Sequence, residues 1–213
     1  MHNTAVSITA TTYGSLIILA GPSGVGKNAV YSGAAAQLGD IYRSVSATTR
    51  APRSAEVDGI DYLFISEDEY DLMLERDEFL EHAGVHGNRY GTPRQPVLEH
   101  LAQGIDVVLE IDVQGMHKVR RERPDVVKIF LAPPSMPELE RRLRERGTET
   151  DAAIIKRLRN ARKEIEHIPE FDFLIINDDL DIAVEKFTTI VGAVRLNPRR
   201  LDQDRLQRGL LNG

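Results

Sequence analysis

LIILAGPSGVGKNAVYSGAAAQL, residues 16–38, opens on five consecutive apolar residues, turns through Gly21, Pro22, Ser23, Gly24, Val25 and Gly26, and closes on a stretch that can be helical to about Leu38. The order is strand, glycine loop, helix. The spacing Gly21-x4-Gly26-Lys27 sits between the two elements, where successive backbone N–H groups and a helix N-terminus converge on one point and cradle a polyphosphate. Lys27 would neutralise the β- and γ-phosphates. The residues that follow are Asn28 and Ala29, so neither carries a hydroxyl that could touch Mg²⁺ or a phosphate.

Outward from that loop, further apolar runs cover Val107–Ile111, Val126–Leu131 and Phe173–Ile176, with helical sequence between them. One such helix reads from Pro93 to Gln103 and stops at Gly104. Apolar strands alternating with helices predict βαβ units and a parallel sheet covered on both faces. Two stretches break the alternation. Ile60–Ser66 and Phe79–His86 are β-like with a short helical piece between, so residues 44–92 predict a small mixed sheet. From Pro137 to about His167 the chain is dense in Arg and Glu, and Ile154, Ile155, Leu158, Ala161, Ile165 and Ile168 recur at helical spacing. That predicts a helical hairpin hinged on Pro133-Pro134 and standing away from the sheet. Leu180 to about Leu206 reads as a terminal helix with a basic end, and no internal repeat is evident.

The chain has 213 residues, enough for one sizeable α/β domain with its own core. With 27 Lys+Arg against 33 Asp+Glu the net charge is −6, which argues against a nucleic-acid or anionic-membrane partner. The absence of Cys excludes a disulfide framework, a thiolate metal site and a cysteine nucleophile, and fits a cytoplasmic location. Residues 1–14 have no positive n-region and no apolar core of signal-peptide length, and read as a flexible arm.

Other residues carry chemistry of their own. Ser44, Ser46, Thr48, Thr49, Arg50 and Arg53 gather hydroxyls and two guanidiniums within ten residues, a pattern that suits a second anion or, equally, a solvated polar loop. Gly87 to Pro93 reads as a turn displaying Tyr90 and Thr92. Glu110 and Asp112 follow a buried strand, where open α/β sheets place ligand chemistry; Asp112 suits either a water-mediated Mg²⁺ contact or a helix cap. His82 and His86 are four apart, but in a strand that is about 13 Å, so they are not read as a metal site. The arginines at 141, 142, 144 and 146 suit a solvated face paired with Glu138, Glu140 and Glu145 at least as well as a site.

In order along the chain, GPSGVGK at Gly21, SVSATTRAPR at Ser44, EVDGIDYLF at Glu56, FLEHAGVHGNRYGTP at Phe79, VVLEIDVQG at Val107, IFLAPPS at Ile129, RLRERGTET at Arg142 and FDFLIINDDL at Phe171 resemble the guanylate kinase family. The resemblance runs from about Leu16 to Val194. It implies a P-loop NTPase-type α/β fold: a core of residues 15–43, 93–134 and 168–213, a GMP-binding module at 44–92 and a lid at 135–167. It further implies transfer of a phosphoryl group from ATP, with Mg²⁺, to GMP and dGMP by a monomer or homodimer. By that resemblance the loop Gly21–Ala29 and Asn177 hold ATP. Arg50, Arg53, Tyr62 and Tyr90 hold the GMP phosphate, and Ser46, Glu81 and Thr92 read guanine. Glu110 and Asp112 stand near GMP and the metal, while Arg142, Arg146 and Arg157 close over the transferring group beside Lys27. Two other readings stay open: a non-catalytic module of the same fold that binds protein, and a kinase for another phosphorylated substrate such as a ribose bisphosphate. Retention of Lys27, Arg50, Arg53 and Asp112 weighs against the first, and Glu81 with Ser46 and Thr92 against the second.

Overall fold

A computed structural model describes residues 13–53, 56–85, 87–145 and 150–200. In chain order they form β1 (Leu16–Ala20), α1 (Lys27–Leu38), β2 (Ile41–Arg43), β3 (Ala47–Thr48), β4 (Leu63–Phe64), α2 (Glu67–Glu75), β5 (Phe79–Val85) and β6 (Asn88–Pro93). There follow α3 (Arg94–Ala102), β7 (Asp106–Leu109), α4 (Val113–Glu122), β8 (Val127–Ala132), α5 (Met136–Glu145), α6 (Asp151–Glu166), β9 (Phe173–Ile176) and α7 (Leu180–Arg195).

β1 is central because all five of its residues are buried and each face finds a helix layer. Leu16, Ile18 and Ala20 point into a cluster with Leu109, Phe130, Val97 and Leu101 of α3, and Met116 and Val119 of α4. Ile17 and Leu19 point the other way, onto Val30 and Ala34 of α1 and Val184, Phe187 and Val191 of α7. This period of two sends alternate side chains to opposite faces, and each large apolar side chain so buried contributes roughly 1.5–3 kcal/mol. The sheet is wholly parallel in the order β2-β7-β1-β8-β9. Asp106, at the start of β7, is buried and accepts from Ser15 N at 2.8 Å and Arg195 Nε at 2.7 Å, with Arg200 Nη2 2.7 Å away. It fastens both ends of the core together.

A second, mixed sheet runs β4-β3-β6-β5, with β3 parallel to β4 and antiparallel to β6. Its small core is Ala47, Tyr70 and Phe79 with Leu63, Ile65 and Met73 packed against them. α5 and α6 form a hairpin with a core of their own, Leu139, Leu143, Ile154 and Ala161 with Met136 and Leu158. Its root is tied in elsewhere, because Ile165, Ile168 and Phe171 pack on the main core.

Several expectations need correction. Residues 88–93 are a strand and not a turn, paired with β5 over Phe79–Val85 and with β3; their Gly, Asn and Arg content hides a hairpin whose stability comes from both neighbours. The terminal helix ends at Arg195 and is followed by a 3₁₀ turn at Pro198–Arg200, since the residue before a proline is disfavoured in the helical region. Of the apolar run Phe173–Ile176 only Ile175 is buried, as β9 is the outer strand of its sheet. Ile155 is exposed and does not share the apolar face of α6. Tyr13 and Gly14, taken as the end of a loose arm, are held: Gly14 N donates to Leu101 O at 2.7 Å and Arg200 Nε to Tyr13 O at 3.1 Å. Residues 1–12 of that arm, residues 201–206 of the expected helix, Ala55, His86 and Arg146 lie outside the described residues. No helix among the described residues is long and apolar enough to cross a membrane.

Candidate active site

The loop after β1 is shaped by backbone that only glycine adopts cheaply. Gly21 has φ 144°, and a Cβ there would stand 2.1 Å from Leu131 O; Gly26 has φ 100°, and a Cβ there would stand 2.6 Å from Asn177 Nδ2. Gly26 is also the N-cap of α1, and no side chain caps this helix or places an acid in its first turn. By contrast Ser66, Asp112, Thr150 and Asp179 each cap their own helices, α2, α4, α6 and α7. The first N–H groups of α1 therefore remain open to an anion, at the positive end of the helix dipole. Lys27 folds back over the loop and donates from Nζ to Gly21 O at 2.6 Å and Pro22 O at 3.2 Å.

Asn28 points away from the loop: its Oδ1 accepts from Arg43 Nη1 at 2.8 Å, and Arg43 Nη2 donates to Ile60 O at 2.9 Å. One arginine thus joins the start of α1 to the segment entering β4. Ala29 is exposed and adds no polar group. Asn177 is buried behind the loop, with Nδ2 donating to Val25 O at 2.8 Å. Val25 is itself fully buried, and Ser23 Oγ accepts from Arg157 Nη1 of α6. Arg142 donates from Nη1 to Asn177 O at 3.0 Å while its Nε meets Glu138 Oε1 at 2.7 Å. Leu143 sits where a Cβ on Gly24 would come within 2.7 Å of its Cδ2, so the α5–α6 hairpin lies against the loop. The neighbouring arginines do form the solvated ladder: Arg141 pairs with Glu138 and Glu145, and Arg144 with Glu140 and Asp151.

The second sheet brings together the residues around Arg50. Its Nη2 donates to Glu56 Oε1 at 2.8 Å, its Nε lies 3.3 Å from Tyr90 Oη, and its guanidinium carbon stands 5.4 Å from the centre of the Tyr62 ring. Glu56 also accepts from Arg53 N at 2.8 Å, and these arginines hold its carboxyl below the usual range, the hydrogen bond from Arg50 most of all. Arg53 itself is exposed, with its Nη1 3.8 Å from Glu56. Burial pushes the Tyr62 phenol up. Thr48 and Thr49 turn their hydroxyls to the backbone of Arg89, and so stitch β3 to β6. Glu81, on β5, is 6% exposed and accepts from Thr92 Oγ1 at 2.7 Å. Burial pushes its carboxyl up to about 7, Thr92 opposes the rise, and nearby Asp112 adds to it. Its Oε2 leaves no room for a side chain at residue 115, where a Cβ would come within 2.8 Å. Ser46 is half-buried beside β3.

Two acids join these regions. Asp112 caps α4, its Oδ1 accepting from Gly115 N at 2.9 Å, a bond that engages one of its two oxygens. Glu110 is the other: its Oε1 is buried without a hydrogen-bond partner among the described residues, 4.0 Å from Arg43 Nη1. Burial raises its carboxyl while Lys27 and Arg43 lower it, and Tyr62 feels it from the far side. A buried acid lacking a donor beside an uncapped helix start fits the water shell of a hard cation arriving with a polyphosphate.

A family profile described as guanylate kinase matches residues 13–194. The chain belongs to the guanylate kinase family. Guanylate kinase from Nitrosococcus oceani is 47% identical over 198 residues, covering 93% of this chain and 97% of that one. That of Caldanaerobacter subterraneus is 48% identical over 180 residues, or 84% and 87% of the two chains. The crystal structure of guanylate kinase from Anaplasma phagocytophilum overlays with a TM-score of 0.76 at 33% identity, covering 93% of this chain and 95% of that one. The fold of this family member is therefore the P-loop-type parallel sheet with two inserts. The same matches leave the non-catalytic module and the ribose bisphosphate kinase unfavoured.

Sequence reasoning had passed over three residues at this site. Glu56 fixes Arg50, and its signal was an acid three residues after one arginine and six after the other. Arg43 carried no signal, because its partners Asn28 and Ile60 are 15 and 17 residues away. Glu164, on α6, has its carboxyl raised by burial and lies within electrostatic reach of Lys27 and Asp112. It was hidden among the many charges of the hairpin.

Proposed function

We propose that this chain transfers the γ-phosphoryl group of ATP to GMP, giving ADP and GDP, as a cytoplasmic enzyme of purine nucleotide recycling. The observation that carries the reading is the pairing of two unlike sites: an uncapped helix start behind Gly21–Lys27, and a buried Glu81–Thr92 pair beside Arg50. Guanine offers N1–H and N2–H₂ as adjacent donors, and an ionised Glu81 accepts both, with Ser46 and Thr92 at its side. Adenine turns an acceptor to the same carboxylate and has no 2-amino group, so AMP leaves a buried charge unpaired.

The GMP phosphate oxygen is already ionised and needs no general base. It attacks the γ-phosphorus in line while the bond to the β,γ-bridging oxygen breaks, and ADP leaves with that electron pair. Arg50, held by Glu56 and Tyr90, presents its guanidinium to the GMP phosphate, with Arg53 and Tyr62 completing the grip. The main-chain cradle binds the ATP phosphates, and Lys27 exchanges its contacts with Gly21 O and Pro22 O for phosphate oxygens. Glu110 and Asp112 would hold the water shell of a Mg²⁺ ion arriving with ATP, which would supply further charge neutralisation. Asn177 steadies the loop on the adenine side. Residues 135–167 act as a lid that brings Arg142, Arg146 and Arg157 over the transferring group and excludes water, residues 44–92 as the GMP module, and the remainder from 15 on as the core.

An ADP-release assay with ATP and each of GMP, AMP, CMP and UMP tests this. GMP is the expected acceptor, with AMP at least about a thousandfold poorer in kcat/KM. Equal use of AMP and GMP would overturn the guanine-reading role of Glu81.

A further inference from the structure

Where the hairpin rejoins the core, three side chains to which the proposed reaction gives no part converge. His117 lies on α4, His167 is the C-cap of α6, and Glu170 ends the 3₁₀ turn that follows. His117 Nε2 lies 2.8 Å from Glu170 Oε2, and His167 Nδ1 2.7 Å from Glu170 Oε1. The three candidate ligand atoms all fall within 4.8 Å of one another, and the two imidazoles stand edge to face with centroids 5.6 Å apart. The side chains are 36%, 40% and 34% exposed, so an ion can enter from solvent. Four-coordinate zinc, with ligands at about 2.0–2.2 Å, sets its ligand atoms roughly 3.4 Å apart. Opening the contact to the ligating Glu170 oxygen by about 0.6 Å and setting both ring nitrogens at the same spacing would make that room.

We propose that His117, His167 and Glu170 form a site for one divalent transition cation of the zinc class, with water in the remaining position. Two imidazoles and one carboxylate are a borderline donor set, suited to Zn²⁺ or Co²⁺ and unsuited to Mg²⁺ or Ca²⁺, so the site is chemically separate from the MgATP site. Arg120 opposes the ion, with Nη1 3.5 Å from Glu170 Oε2, but that side chain is 49% exposed and can swing into solvent. A bound ion would join α6 and its exit turn to α4, the helix that begins at Asp112 beside Glu81. On the lid reading above, loading the site would restrain closure and slow turnover. Ion binding itself does not depend on that reading.

The test is a Co²⁺ titration of the full chain, free of any affinity tag, stripped with chelator and without nucleotide. The visible absorption of four-coordinate Co²⁺ is read, followed by displacement with Zn²⁺. One equivalent is expected to saturate. His117→Ala and Glu170→Gln should each weaken binding roughly a hundredfold or more while leaving the circular dichroism and thermal midpoint of the metal-free protein near the parent's. Arg120→Ala, which keeps all three ligands, should bind Co²⁺ more tightly. An absence of saturable four-coordinate binding, or equal binding by the His117→Ala Glu170→Gln protein, overturns the proposal. Inhibition of GMP phosphorylation by Zn²⁺ in the parent but not in that double variant would establish the clasp. Equal inhibition in both removes the clasp and leaves the ion site standing on the titration alone.

Discussion

On the function proposed above, the loop from Gly21 to Gly26 and the pocket around Glu81 each take a nucleotide, yet one is made of main chain and the other of side chains. In the loop the working groups are N–H donors at an uncapped helix start, held in place by Asn177 on Val25 O and by Lys27 on Gly21 O. Asn28 and Ala29 bring no hydroxyl to the loop, but Asn28 turns to Arg43 and Ala29 faces solvent, so neither disturbs the cradle. The pocket has no such tolerance. Glu81 is tied to Thr92 and Arg50 to Glu56, side chain to side chain, and each substitution leaves a partner stranded at a buried or half-buried position. Phosphate is common to every nucleotide and can be bound by backbone; the base is what differs, and reading it takes particular side chains.

The largest effect should come from the side chain that gives the loop its charge. Lys27→Ala removes the loop's cation and also unfastens Gly21 O and Pro22 O, so kcat is expected to fall about a hundredfold or more in a steady-state assay. A loss under about fivefold would mean that the main chain alone carries the charge. In the pocket, Arg50→Ala should raise KM for GMP roughly thirtyfold, about 2 kcal/mol, with KM for ATP little changed. Arg141→Ala, on the exposed ladder of α5, should change neither, since solvent screens an exposed pair such as Arg141–Glu138 and leaves it little weight. If the two arginine changes proved equal, the distinction between a grip and a solvated face would be lost.

How much of this could be read beforehand follows the same division. Main-chain devices leave local signals. The glycine spacing, the apolar runs at β1, β7 and β8 and the face of Ile154, Leu158 and Ala161 on α6 are each read within a short stretch, and these stand in the structure. Elements that exist only through distant partners left no such trace. β2 is three half-buried residues against β7, β3 is two residues between β4 and β6, and β6 looked like a turn until β5 and β3 were laid beside it. The same holds within the site. Gly21 and Lys27 could be found from spacing alone, whereas Arg43 reaches Asn28 and Ile60 only after folding, and Glu164 meets Lys27 only when α6 is in place.

The pocket should also respond to pH. Burial raises the Glu81 carboxyl to about 7, so it sheds its proton late and guanine must select the ionised form. Below pH 7 affinity for GMP should fall by about tenfold per pH unit from this group, because the protonated carboxyl offers a donor where two acceptors are needed. For stability the sign is opposite. A carboxyl whose folded value lies above its unfolded one favours the fold at low pH, and that contribution is lost between about 4.5 and 7 as the pH rises. Comparing KM for GMP at pH 6 and pH 7.5 in the parent and in Glu81→Gln isolates the effect, since the amide does not titrate. A parallel slope in both proteins would assign the pH dependence to the phosphates.

A small gain is expected at Ala29. A threonine there would add one neutral hydroxyl next to the bound phosphates, while the cradle's N–H groups, the dipole of α1 and Lys27 already supply the charge complementarity. One neutral hydrogen bond contributes about 0.5–1 kcal/mol, so Ala29→Thr should speed kcat by roughly twofold to fivefold and leave KM for GMP unchanged. The change is sterically free, because Ala29 is exposed in the first turn of α1. The companion change Asn28→Ser should not add to it and should instead cost a little, since Asn28 Oδ1 is the acceptor through which Arg43 ties α1 to the segment carrying Ile60, and the shorter serine cannot reach that guanidinium in the same geometry. Single-turnover rates for the parent, Ala29→Thr, Asn28→Ser and the double variant separate the two. A gain of a hundredfold or more at residue 29 would show that a side chain, and not the backbone, limits the cradle, and would erase the contrast with the pocket around Glu81.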